Sequence, residues 1–276
     1  MELRGKLGER LLPVEVDLLC TFAEVEAPFP LEVPASGVTD IERRVRFGSA
    51  REQLTDRGLA DENGPLGVAE DFVFLLRSGT GVLDLVLATE KLGLAVALMT
   101  HRDESLLVTQ ELSDPDGVIR MKAVTLDEAV DDLMRLIPAM EASLTAPFSL
   151  PRRALEDAFD AMMARMPDDP ETGTPDPMTA SEVDDLLRSH GIDDRVSRRM
   201  VSHLRPVLGN GQAGLARRDD TEDQWRRVGE ELRWLDTERG RYRLAGDDTW
   251  MSVNPLPREE IRSELRRLAA QTRGGR

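Results

Sequence analysis

Hydrophobic spacing divides the chain into helix-like and strand-like stretches that alternate in blocks. Residues 13–26 read as a short helix, or a strand leading into a helix, closed by Pro28 and Pro30, and residues 31–36 are extended. A helical pattern runs over 39–57. Thr39 stands as N-cap with Glu42 three residues on, the two halves of a capping box, and Gly58 is the stop signal. After a turn at Asp61, Asn63 and Gly64, Pro65 is expected to open another helix reaching about Arg77. The period then changes. Residues 82–88, 93–99, 106–111 and 118–124 are short apolar or alternating runs separated by turn residues, the pattern of four antiparallel strands joined by hairpins. A helix follows, capped by Thr125 with Glu128, whose apolar face is Leu126, Val130, Leu133 and Ile137.

The same grammar returns further on. Residues 151–166 form an amphipathic helical pattern, and 166–178 are Pro- and acid-rich, read as a mobile loop. Thr179 with Glu182 caps a helix to about His190, and a second helix is expected over 196–208. Strands are expected at 212–217, 232–236, 242–244 and 250–253, then a closing helix at 258–270. Helices, four strands and a terminal helix thus occur twice, offset by roughly 130 residues, as a duplication would leave them. The expected fold is α+β: a central antiparallel β-sheet flanked by helical bundles, in two quasi-two-fold related halves. The halves are 1–150 and 151–276, joined in one compact domain.

Composition narrows the function. With a formal net charge of −16, the surface repels phosphate backbones and anionic lipid, so neither nucleic acid nor membrane insertion is expected. Aromatic residues are only 4%, so the core is built mainly from aliphatic side chains. Cys20 is the single cysteine and excludes an internal disulfide. The first ten residues lack a signal-peptide apolar run, which makes the cytoplasm the expected location.

Candidate chemistry is sparse. Gly209, Gly211 and Gly214 spell G-x-G-x-x-G, with Asp236 some twenty residues later. A dinucleotide site needs that loop after a strand and before a helix. Here a helix is expected before it and a strand after it, so a glycine-rich exit from a helix is the better reading. The Asp-Asp pairs at 131–132, 168–169, 184–185, 193–194, 219–220 and 247–248 suit solvated faces and turns. Adjacent side chains on a helix diverge by about 100° and make no clamp. His101, His190 and His203 lack metal-ligand spacing. Residues 179–206 are spaced like a helix-turn-helix, but five arginines (188, 195, 198, 199, 205) meet five acids (182, 184, 185, 193, 194). A DNA reader needs a positive face. No enzyme activity, cofactor or metal is expected.

Two C-terminal strings carry a resemblance. Asp236, Thr237, Gly240, Arg241 and Tyr242, followed by Trp250, Val253 and Pro255, spell D-T-x-x-G-R-Y and W-x-x-V-x-P. This order is similar to the signature of the EspG family, the ESX (type VII) secretion-associated proteins of actinobacteria. Residues 211–217 resemble that family's R-G-Q-x-G-V-A-R segment, with Asn210 where arginine is usual. Pro28, Phe29, Pro30 and Leu31, and the run from Leu54 to Leu59, extend the likeness to about 14–268. The resemblance implies a central antiparallel sheet with helical bundles and a chaperone that binds PE–PPE-like heterodimers by covering the apolar PPE tip. It places partner contacts on a sheet hairpin and on the C-terminal helical bundle. The corresponding candidates are Glu90 and Lys91, or His101, Arg102, Asp103 and Glu104, together with Val183, Leu187, Val201 and Leu204. Each loop is otherwise a solvated turn, and the four helical apolar residues are otherwise core. Gly240, Tyr242, Trp250 and Pro255 read as turn, sheet anchors and strand end, marking the fold more than the contact. The rival is a non-catalytic adaptor of the same fold with a different protein partner.

Overall fold

Ten strands form one antiparallel sheet in the order β1-β5-β4-β3-β2-β7-β8-β9-β10-β6. They are β1 (Glu9–Leu11), β2 (Gly81–Thr89), β3 (Gly93–His101), β4 (Glu104–Glu111), β5 (Ile119–Ala123), β6 (Phe148–Pro151), β7 (Val207–Arg218), β8 (Trp225–Thr237), β9 (Gly240–Gly246) and β10 (Trp250–Pro255). The computed structural model describes residues 8–153, 157, 179–189, 191–192, 203–204, 206–218 and 225–273. Its helices are α1 (Pro13–Ala23), α2 (Asp40–Asp56), α3 (Val68–Ser78), α4 (Leu126–Leu136), α5 (Ala180–Ser189) and α6 (Arg258–Thr272). The sheet order mirrors itself about β2 and β7: each half is a four-strand meander whose last strand takes a short extra strand at its outer side.

The chain groups into two compact units, which cut across the halves of the sequence repeat. One comprises Met1–Pro138, Gly211–Glu231 and Glu259–Arg276, the other Ala139–Asn210 and Leu232–Arg258. In the first unit, the β2–β5 meander is buried on both faces, which is why its strands read as nearly unbroken apolar runs. Val82, Ala97, Met99, Leu106, Val108, Ile119 and Met121 pack with α1, α3 and Leu54 of α2. The alternate row, Leu83, Leu85, Val96, Leu98 and Leu107, is equally buried. Lys122 ties that side to Asp132 of α4 at 2.8 Å, and α4 is tied to α6 by Arg262 and Asp131 at 2.6 Å. In the second unit the core is smaller: Phe148, Leu150, Leu204, Tyr242 and Val253.

All three capping boxes form. Glu42, Glu128 and Glu182 each donate a backbone N–H to the threonine three residues back, and each carboxylate accepts from that threonine's N–H. Other expectations are corrected. Helix α3 starts at Val68, because Pro65 pairs with Ala60 in a β-bridge and Gly67 (φ 57°) turns the chain into the helix. The helix expected over 196–208 does not reach its end: Val207 and Leu208 open β7. Residues 193–202 lie outside the described residues, as does the 166–178 loop. Of the helix expected over 151–166, Pro151 instead ends β6 and most of the rest lies outside the described residues. β8 begins at Trp225, seven residues earlier than its apolar run suggests.

Gly209, Gly211 and Gly214 lie inside β7 and open no helix, so a phosphate loop is absent there. Gly214 has another use. A Cβ on it would stand 1.8 Å from Arg227 Nη1. Through that gap Arg227 donates to the buried Asp84 at 2.5 Å, while its Nε lies 3.2 Å from Glu231. Burial pushes the Asp84 carboxyl above its ordinary range despite this guanidinium.

Candidate partner-binding surface

The first hairpin candidate joins β2 to β3. Thr89 closes it: its Oγ1 accepts from the N–H groups of Lys91 (3.3 Å) and Leu92 (3.0 Å), and its own N–H donates to Leu92 O at 2.8 Å. A threonine-closed turn is rigid in its backbone and leaves the two central side chains outside. Glu90 and Lys91 are both exposed, and neither side chain has a hydrogen-bond or ion-pair partner among the described residues.

The second candidate joins β3 to β4, at the opposite end of the meander, with His101 and Glu104 paired across the turn. Arg102 sits at φ 53°, uncommon for a residue with a side chain. His101 is half-buried and meets Phe74 edge-to-face at 5.4 Å. Asp103 lies 3.8 Å from Arg273, an exposed pair of little energy. The two hairpins are separated by the length of a nine-residue strand, about 30 Å. One compact contact reaches only one of them.

Of the helical candidates, Val183 and Leu187 lie one turn apart on α5. Val201 is outside the described residues. Leu204 is only 8% exposed, packed with Phe148, Leu150, Tyr242 and Val253. It therefore serves the core and is not part of an exposed apolar patch.

Asp236, Thr237, Arg241 and Tyr242 of the signature form one buried assembly in the second unit. Asp236 and Arg241 face each other across the β8–β9 hairpin, and the guanidinium grips the carboxylate with two bonds of 2.5 and 2.6 Å. Both are essentially inaccessible to solvent, and the guanidinium also lies over Trp234 at 5.7 Å. Thr237 Oγ1 donates to Gly240 O and accepts from Arg239 N–H, closing the turn. Gly240 is required twice over. Its φ is 112°, and a Cβ there would lie 2.7 Å from Ser143 N and 2.8 Å from Glu141 O. Segment 141–145 runs against this hairpin: Arg241 N–H donates to Glu141 O, and Ser143 N–H to Arg241 O. The Tyr242 hydroxyl accepts from Ser143 (2.7 Å) and Thr145 (3.1 Å). Ser143 and Thr145 carry no sequence signal of their own. Pro255 ends β10 as expected. Trp250, expected to anchor the sheet, is 51% exposed and does not.

Among the described residues no group of three His, Cys, Asp or Glu is placed to hold a metal, and no helix is long and apolar enough to cross a membrane. Cys20 is buried, and burial with Asp17 and Glu26 nearby pushes its thiol up to about 12, far from a reactive thiolate.

Comparison with known proteins agrees with this architecture. No curated protein matches by sequence. Among solved structures, the chain is similar to the Mycobacterium tuberculosis type VII secretion system chaperone EspG5, seen in complex with a PE25-PPE41 dimer. The TM-score is 0.62 at 11% identity, over 96% of each chain, which establishes a shared fold. The sequence model of the EspG family matches residues 13–267, and the chain belongs to the EspG family.

Proposed function

We propose that this protein is a cytosolic chaperone that binds a PE–PPE-like heterodimer and shields its apolar tip until export through a type VII secretion system, acting by binding alone. The observation that carries the reading is the family match over nearly the whole chain, supported by a shared fold with a chaperone solved together with such a dimer. The contact we favour is the β2–β3 hairpin. Glu90 and Lys91 offer one charge of each sign on a closed turn with no internal partner to give up. Val183 and Leu187 of α5 are the second contact. The β3–β4 hairpin is less suited, because His101 is engaged with Phe74.

Co-expression with a panel of PE–PPE pairs, followed by size-exclusion chromatography with light scattering, tests this. The expected result is a stoichiometric complex with at least one pair. It should be lost in Lys91→Glu and kept when Arg102 and Asp103 are both replaced by alanine. Loss only in the Arg102/Asp103 variant moves the contact to the other hairpin. A folded, monodisperse protein that binds none of the pairs overturns the chaperone reading in favour of an adaptor with another partner.

A further inference from the structure

A cavity of about 340 Å³ opens in the first unit, where the ends of β3, β4, β5 and β1 meet the last turn of α4. Its apolar walls are Leu92, Leu94, Val118 and Leu136. Leu94 and Val118 are buried among their neighbours, so these walls are fixed in place. The volume is in the range of small-ligand pockets, which pair apolar walls with a few convergent polar groups.

The polar groups here are unusual. Arg10 of β1 and Arg120 of β5 are direct ladder partners and both line the cavity. Like charges directly opposite on a sheet repel, so the arrangement works against the fold unless something neutralises it. Arg10 has a weak outlet in Asp116 at 3.5 Å. Arg120, only partly exposed, has no hydrogen-bond or ion-pair partner among the described residues. The cavity also has three acids, and each is already supplied with a donor. Glu111 accepts from the Ser113 hydroxyl at 3.4 Å, Asp114 from the Asp116 N–H at 3.1 Å, and Asp116 faces Arg10. The group left wanting a partner is the Arg120 guanidinium, whose planar fork matches a carboxylate. The lining carries three carboxylates to two guanidiniums, so a carboxylate ligand gains only through direct two-bond contact with Arg120, and weak affinity is expected.

We propose that this cavity binds an aliphatic carboxylate, with the hydrocarbon against Leu92, Leu94, Val118 and Leu136 and the carboxylate on Arg120. Two sources share that chemistry: a free branched or short-chain acid, and the C-terminus of a peptide ending in an aliphatic residue. The pocket borders the β2–β3 hairpin through Leu92, but the proposal concerns acid binding by the chain alone and does not depend on the chaperone reading.

Ligand-observed NMR titration of the full chain tests it with four probes. They are 4-methylpentanoate, its primary amide, and a short peptide ending in leucine as free acid and as amide. The expected result is saturable binding of an acid, in the millimolar range or tighter for so few atoms, with the matching amide at least about tenfold weaker. Binding by the small acid alone identifies a free-acid pocket, and tighter binding by the peptide acid identifies a peptide terminus. Arg120→Met keeps the stem and removes the charge. It should weaken the acid about tenfold or more while leaving the melting temperature unchanged or higher, since it removes the Arg10–Arg120 repulsion. The proposal is overturned if neither acid binds by about 10 mM, a threshold far above useful affinity. Equal binding of acid and amide, or undiminished binding to folded Arg120→Met, overturns it as well.

Discussion

Gly214→Ala is the smallest substitution with a large expected consequence. The new Cβ would lie 1.8 Å from Arg227 Nη1 and 2.9 Å from its Cζ, so the guanidinium must leave the gap in β7. Moving the end of a flexible side chain costs little by itself. The cost falls on Asp84, which is 1% exposed and accepts a 2.5 Å bond from Arg227. Its other oxygen has no partner among the described residues. Removing one member of a buried pair costs about 3–5 kcal/mol. Protonation limits that penalty. Holding a carboxyl of ordinary pKa 3.8 neutral at pH 7 costs about 4 kcal/mol, at about 1.36 kcal/mol per unit. Arg227 is itself 32% exposed, so the lost pair was partly screened. Replacing a strand glycine returns about 0.5–1 kcal/mol. The expected net loss for Gly214→Ala is therefore about 2–3 kcal/mol at pH 7.

A double-mutant cycle isolates the cause. In an Asp84→Asn background no buried charge remains to be stranded, and Gly214→Ala should cost about 1 kcal/mol or less, a coupling of about 2 kcal/mol. The pH dependence has a definite sign. Asp84 is raised in the fold, so its favourable contribution is present below its unfolded pKa and is lost as pH rises through the folded value. Withdrawing Arg227 raises it further. The Gly214→Ala penalty should then shrink on going from pH 7 toward acid and grow toward alkali. Urea unfolding followed by tryptophan fluorescence measures each corner of the cycle. Equal penalties in the wild-type and Asp84→Asn backgrounds would refute the argument.

Three further outcomes follow from geometry already described. Gly240→Ala combines a φ of 112° with a Cβ less than 3 Å from the backbone of Ser143, where nothing flexible can yield, and should cost about 3 kcal/mol or more by chemical denaturation. Arg241→Met leaves Asp236 buried without its two-bond partner and should cost about 3–5 kcal/mol, whereas replacing both residues by apolar ones of similar size should cost much less. Cys20, buried and with its thiol pushed up to about 12, should resist a maleimide at pH 7.5 in the native protein and react fully in denaturant; fast native labelling would show that α1 opens readily.

What the sequence disclosed followed the range over which each signal acts. Capping boxes span three residues, and those of Thr39, Thr125 and Thr179 all form. Both faces of β2 and β3 are buried, so their apolar runs stood out. β1 and β6 are three and four residues long, too short for a period-two pattern to register. Pro65 misled because a proline that begins a helix and one that sits in a bridge look alike locally; only its pairing with Ala60 tells them apart. The hairpin candidates were legible as turns, since Thr89 and its followers act locally. The assembly around Tyr242 was only half legible. Its hydroxyl partners lie 97 and 99 residues away, at Thr145 and Ser143, where no local pattern marks them. The Arg10–Arg120 pair is of the same kind, visible only once the strand register is known.

The mirrored strand order has a consequence for association between molecules. Among the described residues the ten-stranded sheet has two edges at which a foreign strand could add, and both are stubs. One edge is the three residues of β1, with Arg10 at its centre; the other is the four residues of β6, ending on Pro151. Short edges carrying charge or proline offer few backbone groups in sequence for another chain to pair with. The most apolar strands, β2 and β3, lie well inside the sheet. At high concentration the described sheet is thus guarded against growing into fibrils by strand addition at its edges.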